Sequence, residues 1–240
     1  MNIGLIGYGR FGKLAARHLS RRATVFVYES RGSPRRSAGK IIHSPLARAA
    51  SQPVVILAVP VSALRRVLRD IRPYLVPSAL VIDVCAVKLL PARWMKKALP
   101  PDTRIIGAHP LFGPDSAAKG VRGQTAVLCR IRCPLSTFRA LRSLLRKEGI
   151  AVLEMSPDDH DRLAAETVFL TQFIGRTVQD LRLRRRPLAT RSYRELMGLV
   201  DVARHDSLQL FRDMFTYNKH ARRLHASIVR ALRGVERDLR

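Results

Sequence analysis

Acidic side chains are scarce in this sequence. Its 240 residues carry 18 Asp and Glu against 44 Lys and Arg, a formal net charge of +26. Cysteine is nearly absent. Cys85, Cys129 and Cys133 cannot all pair, and the last two, four apart with no His or Cys cluster beside them, do not make a zinc centre. Reduced thiols of this kind fit a cytoplasmic protein. No apolar run reaches the roughly 18 residues of a membrane-spanning helix. The amino-terminal MNIGLIGYGRFG has neither a basic leader nor a small-residue cleavage site, so it reads as a first strand and not as a targeting segment. Aromatic residues make up 6%, and no basic stripe interleaves with them, which argues against a stacking surface for single-stranded nucleic acid. Internal repeats and low-complexity tracts are also missing. What remains is an ordinary globular composition, 47% hydrophobic, in a chain long enough to bury a core without a disulfide or metal.

The basic surplus raises nucleic acid or another anion as a partner. It consists of 36 Arg and 8 Lys scattered from Arg10 to Arg240. Scatter of that kind reads as an arginine-rich coding bias rather than a groove, so nucleic acid is not the expected partner, while small anionic molecules are.

Short apolar runs at 2–7, 24–28, 53–59, 78–84, 104–108, 124–132 and 150–154 alternate with helical patterns at 11–20, 62–71, 88–98 and 137–147. This is the pattern of an α/β Rossmann-type doubly wound sheet. After Met155 the pattern changes. Ser156-Pro157-Asp158-Asp159 has the residues of a helix start, and 158–182, 188–203 and 206–238 read as helices with no further strand. Two domains are therefore expected, a dinucleotide-binding one over 1–155 and an all-α one over 156–240. About 85 residues are too few to bury every apolar helix face, so Leu196, Leu199 and Val200 are expected to meet a second copy in a C2 homodimer.

Gly7-Tyr8-Gly9-Arg10-Phe11-Gly12 fits G-x-G-x-x-G between a strand and a helix. Gly7 would make the tight turn, Gly9 would admit a pyrophosphate, and Gly12 would let helix and strand pack closely, with Arg10 and Phe11 opening the helix toward the anion. Glu29 lies 17 residues beyond Gly12, where an acid can accept from ribose hydroxyls, which favours NAD. Ser30 and Arg31 follow it, and Arg31, Arg35 and Arg36 keep NADP open. Ala58, Val59 and Pro60 end the third strand, where the chain would pass beneath the nicotinamide ribose. His109, held by Pro110 and a loop that includes Gly113, follows a strand end at the carboxyl edge. An imidazole there suits proton transfer at neutral pH.

At these residues the chain resembles the prephenate/arogenate dehydrogenases. The resemblance runs through GLIGYGRFG, DVCAVK (83–88), HPLFGPDS (109–116), MSPDDHDRLAA (155–165) and FTYNKHA (215–221), and HPLFGPDS and MSPDDHD look most like the plant-type arogenate dehydrogenases. It implies a helical dimerisation domain after the Rossmann domain. It also implies oxidative decarboxylation of prephenate or arogenate by hydride transfer to NAD(P), with His109 as the catalytic histidine. Three positions depart from the family pattern. Ala86 stands where the family carries Ser, Gln172 stands where it carries His, and its F-R-D-x-[ST]-R motif is absent, which leaves Arg204 or Arg212 to hold a substrate carboxylate. Lys88 is either a cleft residue or a solvated helix-start cation, and Trp94 reads as core. Two other readings compete. A β-hydroxyacid or imine reductase of the same architecture would need a lysine on the first helix of the second domain, and 158–180 has none. A non-catalytic NAD-sensing or nucleic-acid-binding protein is kept open by Ala86, Gln172 and the net charge.

Overall fold

The computed structural model describes residues 1–30, 38–184 and 186–240. They form two compact units, Met1–Pro157 and Asp158–Arg240. The first unit is built on an eight-stranded sheet: β1 (Asn2–Ile6), β2 (Thr24–Tyr28), β3 (Ile41–His43), β4 (Val54–Leu57), β5 (Leu80–Asp83), β6 (Arg104–Pro110), β7 (Thr125–Arg132) and β8 (Ala151–Glu154). The order across the sheet is β3-β2-β1-β4-β5-β6-β7-β8. All neighbours are parallel except β6 and β7. Strands covered by helices on both faces read as near-continuous apolar runs; β5, Leu-Val-Ile-Asp, is buried at every position, its one charged residue, Asp83, included.

The helices of this unit are α1 (Arg10–Leu19), α2 (Leu46–Ala50), α3 (Val61–Ile71), α4 (Leu89–Ala98) and α5 (Leu135–Lys147). Each long one buries one stripe; α3 does so with Val61, Leu64, Leu68 and Ile71. The chain leaves β1 for β2 and β3 on one side, then returns to β4 on the other. The switch point therefore lies between β1 and β4, the place where open α/β sheets bind ligands.

Two elements of this unit are absent from the sequence reading. The strand β3 is three residues long and α2 is one turn and a half, both too short to set up a period. A third difference concerns His109. It does not follow a strand end but lies inside β6, because antiparallel pairing with β7, from Ile105 against Arg132 to Pro110 against Ala126, carries the strand on past Ala108.

The second unit holds α6 from Asp158 onward (the helix runs Pro157–Ala164), α7 (Leu170–Asp180), α8 (Arg191–His205), α9 (Leu208–Tyr217) and α10 (Lys219–Asp238). The expected 158–182 helix is interrupted by a π-helical stretch, Ala165–Phe169. The expected 188–203 helix starts later, where Thr190 accepts from the Tyr193 N–H at 3.1 Å. The expected 206–238 helix is two helices. Asn218 breaks it, accepting from the His220 N–H at 2.9 Å to cap α10 and donating to the Asp161 carbonyl at 2.7 Å.

Phe169 stacks on Phe211 at 5.6 Å and lies 6.0 Å from Phe215. Val178, Met197 and Val200 form a second cluster with Leu196 against it. A Cβ on Gly175 would sit 2.5 Å from the Leu199 carbonyl, so α7 and α8 touch backbone to backbone. Of the three residues expected at an interface, Val200 is buried within its own unit, while Leu196 and Leu199 are half-buried. Exposed apolar side chains of this unit include Leu188 and, on the last turns of α10, Leu232 and Val235, each 59% exposed, with Leu239, just beyond them, at 83%.

Asp158 opens this unit with Lys219 at 2.7 Å and His220 at 3.1 Å. The Lys219 and His220 hydrogen bonds hold its carboxyl below the usual carboxylate range. A depressed carboxyl stabilises the fold above its unfolded pKa and loses that contribution as pH falls through the folded one. Asp158→Asn is therefore expected to lower the thermal midpoint slightly at neutral pH, with the difference from the wild type vanishing in strong acid, as melts across pH would record.

Candidate active site

The glycine loop sits at the carboxyl end of β1, at the switch point. Gly7 adopts φ +105°, and a Cβ there would lie 2.2 Å from the Ala58 carbonyl. Gly12 is equally constrained, with a Cβ position 2.2 Å from the Gly7 carbonyl, so α1 can approach β1 only without a side chain. Gly9 differs. Its φ is −67°, and nothing lies within 4 Å of where its Cβ would be. It is also the N-cap of α1, with no side chain capping the helix and no acid in the first turn. Two glycines thus serve chain packing, and the third opens onto space beside a helix amino terminus whose dipole favours an anion. A dinucleotide pyrophosphate fits that cradle.

Substitution separates these roles. Gly7→Ala is expected to destabilise the protein by about 1–3 kcal/mol through backbone strain. Gly9→Ala is expected to leave the thermal midpoint unchanged and to weaken dinucleotide binding by roughly tenfold or more, the worth of about 1.4 kcal/mol. Melting curves and a dinucleotide titration read the two effects apart.

Neighbouring elements close on the loop. The Ala58 N–H donates to the Ile6 carbonyl at 2.8 Å, and the Gly7 N–H to the Tyr28 carbonyl at 2.8 Å. Val59 accepts from the Cys85 thiol at 3.4 Å, and Pro60 is the N-cap of α3. Glu29 and Ser30 directly follow β2. Arg31 lies outside the described residues, as do Arg35 and Arg36. Arg10 is held in an ion pair with Asp115 at 2.7 Å, which ties the start of α1 to the loop after β6. In the same loop, the Gly113 N–H donates to the Ser116 hydroxyl at 3.0 Å. Sequence reasoning missed Asp115, since no local pattern marks a contact 105 residues away.

His109 is 8% exposed, with Pro110 after it at the end of β6. The register pairs Gly107 with Asp83, so His109 stands two residues beyond the end of β5, at the edge that carries the glycine loop. Directly beneath it is an ion pair that the sequence reading did not anticipate. Lys88 is 0% exposed. Its ammonium donates to the Asp83 carboxylate and, at 2.7 Å, to the carbonyl of Ala108, the residue before His109. The Cys85 N–H donates to the same Asp83 oxygen at 3.0 Å, while Asp83 Oδ2 is buried without a partner. Burial pushes the Asp83 carboxyl up against the opposing pull of Lys88. Gly107 leaves room for the pair, since a Cβ there would come within 3.2 Å of the Lys88 stem and 3.3 Å of Asp83. Lys88 is therefore not a solvated cation. It anchors the backbone from which His109 projects. Ala86, three residues after Asp83, is half-buried.

The other three expected substrate residues lie in the helical unit. Gln172 is buried; its amide nitrogen donates to the Asp206 carboxylate, and its Oε1 has no partner. Arg204 is exposed and lies 4.0 Å from Asp201. Arg212 is exposed on α9. The structure singles out a different cation, Arg176, one turn beyond Gln172. It donates to the Asp206 carbonyl at 2.9 Å, lies 5.1 Å over the Phe211 ring, and keeps a buried, unpartnered Nε. Its spacing from Gln172 was visible in the sequence; its contact with Asp206, 30 residues on, was not.

Among the described residues no group of His, Cys, Asp and Glu could hold a metal ion, and no helix is long and apolar enough to cross a membrane. Residues 34–153 match the family described as prephenate dehydrogenase, nucleotide-binding domain, and residues 177–240 match the TYRAAT1-like, C-terminal domain. The chain is 30% identical over 233 residues to arogenate dehydrogenase 1, chloroplastic, of Arabidopsis thaliana, covering 92% of this chain and 36% of that protein. It is 29% identical to arogenate dehydrogenase 2, chloroplastic, of the same plant, covering 100% of this chain and 70% of the relative. The chain thus spans about a third of the first relative's length and over two thirds of the second's. In fold it is similar to the crystal structure of prephenate dehydrogenase from A. aeolicus in complex with hydroxyphenyl propionate and NAD+, with a TM-score of 0.75 at 17% identity over 99% of this chain and 90% of that one.

Proposed function

The chain belongs to the prephenate dehydrogenase family, and from that premise we propose that it catalyses the NAD-dependent oxidative decarboxylation of arogenate or prephenate. The observation that carries the reading is the placement of His109 at the same sheet edge as the open cradle over Gly9, on a backbone anchored by Lys88 and Asp83. The Met1–Pro157 unit is the dinucleotide-binding domain in this reading, with Gly7, Gly9, Arg10, Phe11 and Gly12 around the pyrophosphate, Glu29 and Ser30 toward the adenosine ribose, and Ala58, Val59 and Pro60 toward the nicotinamide ribose. Nicotinamide, when bound, supplies the acceptor for the hydride leaving C4 of the cyclohexadienol ring. His109 takes the proton of the C4 hydroxyl. The carboxylate on the ring leaves as carbon dioxide and the ring becomes aromatic, so the chemistry is driven by the substrate. The protein's task is to orient it and hold the base.

NAD is the preferred cofactor in this reading because Glu29 stands where ribose hydroxyls would donate. Arogenate is the preferred substrate, on the likeness to the two Arabidopsis arogenate dehydrogenases. Purified protein given each substrate with each of NAD and NADP, followed by absorbance of the reduced nicotinamide, tests the reaction and both preferences. Absence of turnover with every pair, while NAD still binds, would put the dinucleotide-sensing alternative first.

The helical unit is proposed to dimerise through the end of α10. Leu232→Lys with Val235→Lys is expected to convert a dimer into a monomer by light scattering, with the helical content retained.

A further inference from the structure

We propose that the groove between α3 and α4 binds a nucleoside polyphosphate, its ring against Trp94 and its phosphates along the guanidinium row of α3. The groove encloses about 630 Å³ and is lined by Arg65, Arg66, Arg69, Arg72, Lys97 and Trp94, with no acidic residue in its lining. Trp94 was expected in the core; it is half-buried instead, with the Arg65 guanidinium 5.8 Å from its ring centre. Some surface arginines are paired with acids, as in Arg142 with Glu154, Arg191 with Glu195 and Arg240 with Glu236. Among the described residues no carboxylate pairs with Arg66, Arg69, Arg72 or Lys97, although Arg66–Arg69 and Arg69–Arg72 are helix neighbours that repel one another.

The run from Ser62 to Arg72 spans roughly 15 Å of helix, the reach of a ring with three phosphates. Planar bases stack on indole and guanidinium alike, and polyphosphates take arginine rows. A second cationic cleft, lined by Arg10, Lys13, Arg17, Arg21 and Lys119, shares the charge but not the aromatic platform, and Asp115 already occupies its Arg10. The pair of clefts therefore separates specific binding from general cationic attraction. The inference is independent of the dehydrogenase reading, because no residue of the groove belongs to the loop, the ion pair or His109.

Trp94 is the chain's single tryptophan, so its fluorescence reports this groove alone. The probe is guanosine triphosphate, titrated with NAD present to keep the dinucleotide cradle filled, beside inorganic tripolyphosphate. Guanosine triphosphate is expected to change Trp94 emission saturably at one site per chain, and tripolyphosphate to bind at least about tenfold more weakly for want of the ring. Arg66→Glu with Arg69→Glu, both exposed, is expected to weaken guanosine triphosphate by at least about tenfold, and Arg17→Glu with Arg21→Glu on α1 to change it by less than about twofold. Circular dichroism checks that both double variants are folded. Equal affinity for the two probes, unchanged Trp94 emission, or equal loss from the two double variants would overturn the proposal. So would affinity for an RNA oligonucleotide that climbs with each added nucleotide, which would make the groove a strand-binding surface.

Discussion

His109→Asn is expected to lower kcat by about 10²–10⁴-fold, the usual worth of a positioned general base. Asparagine is close in size to the imidazole and keeps a hydrogen-bonding side chain, so β6 and its pairing with β7 should survive; the change removes the capacity to take a proton. Dinucleotide affinity and the thermal midpoint should therefore remain at their wild-type values, and the substrate KM should change far less than kcat. Steady-state absorbance of the reduced nicotinamide, with a dinucleotide titration and a melt on the same preparations, reads all four quantities. A variant within a few-fold of wild-type turnover would remove His109 from the chemistry.

Lys88→Met carries the largest expected effect on stability. The ammonium is fully buried and serves two acceptors, the Asp83 carboxylate and the Ala108 carbonyl. Removing it leaves a carboxylate in the interior with Cys85 as its remaining hydrogen-bond partner, and breaking a buried pair in this way costs about 3–5 kcal/mol. Asp83→Leu added to Lys88→Met should restore most of that loss, because two apolar residues of similar volume need no charge partner. Activity should not return with stability. The Ala108 carbonyl would still lack its donor, and the backbone aiming His109 would be freer. The expected signature of the double variant is a near-native denaturation midpoint with a reduced kcat and little change in KM. Recovery of both together would mean that the pair contributes packing alone.

Much of this arrangement is readable from residue order. Parallel strands buried on both faces read as near-continuous apolar runs, and seven apolar runs stand out along the chain. The glycine loop carries its own constraint, since a positive φ and two close backbone approaches tolerate nothing larger, and those requirements surface as Gly7 and Gly12. His109 stood out because it sits in HPLFGPDS. Lys88 and Trp94 did not betray their settings. A lysine one residue before a helix looks the same whether solvated or buried, and its burial depends on a carboxylate from β5 and a carbonyl from β6 meeting it. Trp94 falls on an amphipathic helix whose period predicts the core, yet the cationic flank of α3 leaves its ring half open. The break at Asn218 was likewise hidden, since the apolar period of α9 and α10 runs almost unbroken and the interruption is made by a hydrogen bond to Asp161, 57 residues away.

By itself the sequence determined the strand–helix alternation, the glycine loop and the change to helices near residue 155, because each follows from periodicity or from backbone freedom over a few neighbouring residues. Only the tertiary structure decided that β6 extends through His109, that Asp83 and Lys88 support it, that Asp206 claims Gln172, and that Val200 faces inward while the end of α10 faces out. Those outcomes turn on pairing between groups far apart in the chain, and the free energy of burying a charge or an amide is settled by the partner it meets, which no local pattern specifies.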